Sequence, residues 1–222
     1  MNNKNQVFKA VIFDLDGTLI NSLNDIADSM NRVLCQKGYK IHEYDAYRYF
    51  IGKGLRNLVR SAMPETERTE ENVNKLYGEL LLEYEQNLLH NTVLYKGIPE
   101  LLHALNSKNI PVCILSNKAD AFTQKIHSEL LGEWKFELVL GASNAFPRKP
   151  SPDAAWHICK TIGLAPSEVL YVGDSSVDME TAQAAGMYAV GVTWGFRCRQ
   201  ELTESGAKML IDNPMDLLDC LV

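Results

Sequence analysis

Val7-Phe8-Lys9-Ala10-Val11-Ile12-Phe13 runs straight into Asp14-Leu15-Asp16-Gly17-Thr18. The first half is apolar and β-branched with no polar alternation, the pattern of a strand buried on both faces of a parallel sheet. The second half ends it abruptly with turn-forming residues. Downstream, further strands are expected at Ile110–Leu115, Phe136–Leu140, Val169–Val172, Tyr188–Val192 and Met209–Ile211. Helical patterns stand between most of them: Ile98–Lys108 with Pro99 at its first turn, Ala119–Leu131, Asp153–Ile162 and Asp178–Ala185, then a closing helix at Pro214–Cys220. Strands alternating with helices predict an α/β fold, a doubly wound parallel sheet with right-handed crossovers.

Between Ile20 and Thr92 that rhythm is missing, and no strand is expected. Leu23, Ile26, Met30, Val33 and Leu34 recur at helical spacing, with Ser22 and Asp25 resembling a capping box and Gly38 suiting a helix stop. Two more helices are expected at Leu55–Met63 and Glu67–Leu89. The block is too long and too patterned to be a loop. The expected division is therefore a discontinuous core, residues 1–19 plus 93–222, with an inserted helical unit at 20–92.

Composition narrows the function classes. The chain has 222 residues, 46% hydrophobic and 23% charged, with 22 basic against 28 acidic side chains and a net charge of −6. That excludes disorder and argues against a nucleic-acid or anionic-membrane surface. Cys35, Cys113, Cys159, Cys198 and Cys220 form an odd set without a CxxC pair, which suits a reducing compartment. Met1 to Asn5 are polar, with no apolar signal region behind them, and no run approaches the ~20 apolar residues of a membrane span. A cytoplasmic protein, monomer or homodimer, is expected.

Ligands of open α/β sheets bind at the carboxyl ends of the strands. Asp14 and Asp16 leave the first strand, Ser116 and Asn117 the strand ending at Leu115, Lys149 the loop after the next, and Gly173-Asp174 the strand ending at Val172. Singly, each has a structural reading. Asp16-Gly17 can be a hairpin turn, Ser116-Asn117 an N-cap, Lys149 a solvated loop lysine and Asp178 a helix cap. Their joint arrival at one edge favours function. Asp174 facing Asp14 would make a like-charged, oxygen-rich site that a hard cation such as Mg²⁺ stabilises. A lysine and a hydroxyl beside it point to a phosphoryl group. There Asp14 can attack phosphorus, while Asp16 holds a proton for the leaving oxygen.

Phe13-Asp14-Leu15-Asp16-Gly17-Thr18-Leu19 resembles motif I of the haloacid dehalogenase-like hydrolases. Leu115-Ser116-Asn117 resembles motif II, Arg148-Lys149-Pro150-Ser151-Pro152-Asp153 motif III, and Val172-Gly173-Asp174-Ser175-Ser176-Val177-Asp178 motif IV. The motifs stand in the family's order, and the resemblance spans essentially the whole chain. It implies that Asp14 is the nucleophile forming an aspartyl-phosphate and Asp16 the general acid/base. Ser116 and the Asn117 amide would bind the transferring phosphoryl oxygens, and Lys149 would balance charge between that group and Asp14. Asp174 would ligate Mg²⁺ with Asp14 and the Asp16 carbonyl, supported by Asp178. Thr18 would bond the phosphoryl group or buttress the loop. The helical insertion resembles the family's mobile C1 cap, whose closure excludes water and brings specificity residues onto the leaving group. Dehalogenases and phosphonatases of the family lack the second motif I aspartate, and Asp16 removes them from consideration.

Within the family, Gly191-Val192-Thr193-Trp194-Gly195 and Ile51-Gly52-Lys53-Gly54 are similar to the phosphoglycolate phosphatase group. Each also has a structural reading, Trp194 as an anchor for its loop and the glycines as helix terminators. Lys53 and Arg56 are the expected cap specificity residues for a carboxylated substrate, with Arg60 on the same face read as solvated. The expected substrate is a small phosphorylated metabolite, 2-phosphoglycolate first. A sugar phosphate, pyrophosphate or a phosphomutase reaction of β-phosphoglucomutase type stands as the alternative. A non-catalytic phosphate-binding domain is a further one, disfavoured because no nucleophile or metal ligand is lost. His42, His90, His103, His127 and His157 show no ligand spacing.

Overall fold

The strand that opens the sequence, β1 (Ala10–Phe13), is buried along its whole length, and it sits inside the sheet with a parallel neighbour on each side. In this computed structural model, which describes residues 7–221, the chain continues through β2 (Ile20–Asn21), α1 (Leu23–Gln36), α2 (Tyr44–Phe50), α3 (Leu55–Ala62), α4 (Glu70–Asn87) and β3 (Val93–Leu94). It then runs through α5 (Ile98–Ser107), β4 (Val112–Ala119), α6 (Asp120–Ile126), β5 (Leu138–Ala142), α7 (Asp153–Ile162) and β6 (Val169–Gly173). The last elements are α8 (Ser176–Ala185), β7 (Tyr188–Val192), α9 (Arg199–Glu204) and β8 (Met209–Ile211), followed by a 3₁₀ helix at Pro214–Cys220.

The six-stranded sheet has the order β5-β4-β1-β6-β7-β8, with every pairing parallel. Alternate residues of β1 enter separate cores. Val11 and Phe13 pack with Ile114, Leu170 and Val172 on the face covered by α5 and α6. Ala10 and Ile12 pack with Cys113, Leu115 and Tyr171 on the face covered by α7 and α8. Burial on both sides is why the strand reads as an unbroken apolar run. The chain progresses outward from β1 through β4 to β5, then returns to the other side of β1 for β6. That reversal places the topological switch point, and hence the ligand crevice, beyond the carboxyl end of β1.

Helices α1 to α4 form the inserted cap. Its apolar interior, including Ile26, Met30, Tyr47, Leu58, Leu76, Leu80 and Tyr84, is continuous with the core under α5 and α6. Fully burying a side chain of this class contributes about 1.5–3 kcal/mol, so the cap is seated by packing as much as by its connections.

Several expectations need correction. The stretch 20–92 does contain strand: β2 pairs antiparallel with β3, Ile20 opposite Leu94 and Asn21 opposite Val93. A two-residue strand is too short to show a period. The expected boundaries at 19/20 and 92/93 lie at the first residues of β2 and β3. Ser22 and Asp25 form no capping box. The Ser22 hydroxyl donates to Asp16 instead, and the buried Asp25 carboxylate accepts from the backbone and side chains of Asn91 and Thr92. Asp25 thereby ties the start of the cap to its end. Helix α2 was not expected, since Tyr47 is its one buried residue, and α9 likewise buries only Leu202. Strands β4 and β5 lie a few residues beyond their expected positions, with the β4–β5 register shifting after Leu115. Among the described residues, no helix is long and apolar enough to cross a membrane.

Candidate active site

The ladder of β1 continues one residue past the strand, where the Asp14 amide donates to the Val172 carbonyl at 2.9 Å. This holds the Asp14 side chain in the crevice at the strand's end. From the loop before α7, the Lys149 ammonium donates to Asp14 Oδ1 and to Asp178 Oδ1, both at 2.7 Å. The other Asp178 oxygen accepts from the Ser175 amide at 3.1 Å and its hydroxyl at 2.7 Å. The capping function read for Asp178 and its place in the site are therefore served by different oxygens of one carboxylate.

Asp174, at the end of β6, accepts the Phe196 amide at 2.7 Å and faces the Thr18 hydroxyl at 3.4 Å. Two glycines make room for it. A Cβ at Gly17 or at Gly195 would lie 2.3 Å from Asp174 atoms, and Gly17 also has φ of +90°. Thr18 is fully buried, and its carbonyl accepts from Trp194 Nε1 at 3.0 Å. Thr18 and Trp194 together brace the turn after β1.

Asp14, Asp174 and Asp178 bring carboxylate oxygens within 4.8 Å of one another. Burial pushes the Asp14 carboxyl up to about 7, the Asp178 charge adds to the rise, and Lys149 opposes it. Burial and the same neighbouring carboxylates hold Asp174 well above the ordinary carboxylate range. Lys149 loses solvation too, but Asp14 and Asp178 more than compensate and keep its ammonium charged. Three buried carboxyl groups against one ammonium do not all ionise together without further positive charge. An all-oxygen donor set of this kind fits a hard divalent cation, whose charge would let them ionise.

Asp16 lies outside this cluster. Its carboxylate accepts from Lys118 Nζ at 2.9 and 3.0 Å and from the Ser22 hydroxyl. Ser116 and Asn117 are both buried near the end of the regular part of β4. The Ser116 hydroxyl oxygen accepts the Lys118 amide at 3.2 Å. The Asn117 side chain clasps the backbone of Lys149, giving to its carbonyl and accepting from its amide, and also donates to the Gly52 carbonyl of the cap.

A narrow crevice of about 30 Å³ lies between core and cap. Asp14, Asp16, Ser116, Asn117 and Lys118 line the core side, and Ile26, Ile51, Gly52, Gly54, Leu55 and Leu58 line the cap side. Lys53 is exposed on its loop and Arg56 reaches Glu70 and Asn74; neither lines the crevice. The sequence reading missed Lys118, although it directly follows the polar pair Ser116-Asn117. It also missed the contacts that join cap to core. Arg197 Nη2 donates to the Ile51 carbonyl at 2.8 Å, and Arg48 Nη1 to the Gly195 carbonyl at 3.3 Å. No local sequence signal marks either pair.

Known proteins resemble this chain over nearly its whole length. A family model described as haloacid dehalogenase-like hydrolase matches residues 11–192. A Haemophilus influenzae protein named phosphoglycolate phosphatase is 31% identical, the alignment covering 98% of this chain and 100% of that one. Pseudomonas aeruginosa phosphoglycolate phosphatase 1 is 30% identical over 96% of this chain and 79% of its own. A solved structure from Lactobacillus delbrueckii subsp. bulgaricus superposes with a TM-score of 0.91 at 26% identity, covering 97% of this chain and 99% of that one.

Proposed function

The chain belongs to the haloacid dehalogenase-like hydrolases and is a phosphatase, and from that premise we propose that it hydrolyses 2-phosphoglycolate with Mg²⁺ as cofactor. The observation that carries this reading is the Lys149 ammonium shared by Asp14 and Asp178 beside Asp174 at the end of β1. The substrate follows the names of the relatives at about 30% identity.

In this reading an Asp14 carboxylate oxygen attacks phosphorus. The ester P–O bond breaks as the aspartyl-phosphate forms, and Asp16 gives its proton to the departing glycolate oxygen. Asp16, now a carboxylate, takes a proton from water as that water attacks phosphorus. The P–O bond to Asp14 then breaks, releasing inorganic phosphate and restoring both side chains. The Ser116 hydroxyl and the Asn117 amide bind phosphoryl oxygens, and Lys149 offsets charge on Asp14 and on the group in transfer. Asp14, Asp174 and the Asp16 backbone carbonyl would hold the metal, with Asp178 supporting through Lys149 and the Ser175 cap. When bound, the cation supplies positive charge against the phosphoryl oxygens. Thr18 is assigned the buttressing part of its expected role. The reading places the enzyme in the cytoplasm, in keeping with its free cysteines.

The deciding experiment measures phosphate release from 2-phosphoglycolate, hexose phosphates, nucleotides and pyrophosphate, with and without Mg²⁺. Asp14→Asn serves as the control and is expected to abolish turnover while leaving the fold intact. A Mg²⁺-dependent preference for 2-phosphoglycolate is the expected result. Even activity over all esters would refute the substrate, and substantial activity in Asp14→Asn would refute the nucleophile.

A further inference from the structure

Lys118 is a buried cation that the reaction outlined above does not use. Its side chain is 1% exposed. The ammonium donates to both Asp16 oxygens and, at 2.8 Å, to the hydroxyl of Tyr84. Asp16 belongs to the core loop after β1, whereas Tyr84 comes from α4 of the cap. One ammonium therefore joins the carboxylate assigned to proton transfer with a side chain of the other domain.

A buried ammonium has three N–H groups to satisfy, and leaving one without an acceptor is costly. Here the core supplies the carboxylate and the cap supplies the phenol. Tyr84 is itself fixed by how the cap sits, since its ring meets Phe122 of α6 edge-on at 5.4 Å between centroids. The Tyr84 oxygen is the acceptor that leaves if α4 lifts from the core. The remaining Asp16 contact, from the Ser22 hydroxyl, does not involve Lys118.

We infer that Lys118 is a positioning residue that couples cap seating to proton transfer: Tyr84 of the seated cap completes its hydrogen bonding, and Lys118 then holds the Asp16 carboxylate in its working orientation. The inference rests on the assignment of Asp16 as the proton donor under the proposed function.

The test compares two small substrates in the Mg²⁺-loaded full chain. The glycolate oxygen of 2-phosphoglycolate needs a proton to leave, whereas the acetate of acetyl phosphate leaves without one. Lys118→Met is expected to lower kcat on 2-phosphoglycolate by about 10²-fold, the lower range for acid–base catalysis, and on acetyl phosphate by less than about tenfold. Tyr84→Phe, which removes only the hydroxyl, should show the same bias toward 2-phosphoglycolate at smaller size and with little change in KM. Melting curves identify any Lys118→Met protein that has lost its fold, in which case Tyr84→Phe decides. Equal losses on both substrates would overturn the inference in favour of a structural lysine. A rise in KM confined to carboxylated substrates, with kcat unchanged, would overturn it in favour of substrate reading. Tyr84→Phe indistinguishable from wild type would remove the link to the cap. Wild-type protein inactive on both substrates would instead refute the proposed function on which the inference stands.

Discussion

The catalytic edge of the sheet and the cap above it are held in different ways. At the sheet edge, polar side chains are buried and shared. Lys149 serves two carboxylates, Asp174 is boxed in by an amide, a hydroxyl and two glycines, and Asn117 clasps the backbone beside Lys149. In the cap, the charged groups of α3 stand at the surface, with Arg56 and Arg60 both paired to Glu70. Apolar side chains and glycines face the crevice instead. The contrast separates two tasks. A dense polar network cannot change one member without leaving others unpaired, so the edge fixes the chemistry. An apolar wall tolerates exchange at small cost, so the cap is free to set which substrate enters.

That division predicts a gradient of effects. Asp16→Asn should reduce turnover of 2-phosphoglycolate by roughly 10²–10⁴-fold, with a much smaller loss on acetyl phosphate. Steady-state rates on the two substrates check this, and equal losses would break the assignment of Asp16. Arg197→Ala removes a charged donor to the Ile51 carbonyl from the cap–core junction. A hydrogen bond of this kind is worth about 1.5–3 kcal/mol, so KM should rise by about tenfold or more, with any fall in kcat confined to 2-phosphoglycolate and sparing acetyl phosphate. A fall in kcat on both substrates with constant KM would break the separation of the two regions. Lys53→Ala and Arg56→Ala should each alter KM by less than about twofold, as expected for exposed groups. A selective rise in KM for carboxylated substrates in Lys53→Ala would restore the cap lysine as a specificity group and sharpen the boundary between the two regions.

The catalytic edge was legible in the sequence for a physical reason. Asp14 and Asp174 directly follow the neighbouring strands β1 and β6 that present them, so local patterns gave both the element and the residue. The helix Asp153–Ile162 and the strands Tyr188–Val192 and Met209–Ile211 were read with the bounds the structure shows, since each is periodic and bounded by turn residues. What escaped was non-local. Lys118 contacts Asp16 and Tyr84 across 102 and 34 residues of chain, and nothing in its own neighbourhood announces either partner. Ser22 and Asp25 have the spacing of a capping box, yet Asp16 took the Ser22 hydroxyl and Asn91 and Thr92 at the far end of the cap took Asp25. Helix α2 presents the aromatic residues of Tyr44–Phe50 with one of them buried, too thin a stripe for a period to emerge.

The β2–β3 ribbon has a consequence for how the molecule is assembled. Because Ile20 lies opposite Leu94 and Asn21 opposite Val93, the chain departs and returns at neighbouring points, closed further by Asp25 on Asn91 and Thr92. Seen from the sheet, the entire cap is the loop of a hairpin. Loop-closure entropy grows only slowly with length, by about 0.6 kcal/mol per doubling, so as far as chain closure goes the length of the cassette above this ribbon is nearly free. What a foreign cassette would have to rebuild is the apolar seam with α5 and α6 and the Tyr84 and Gly52 contacts to the core.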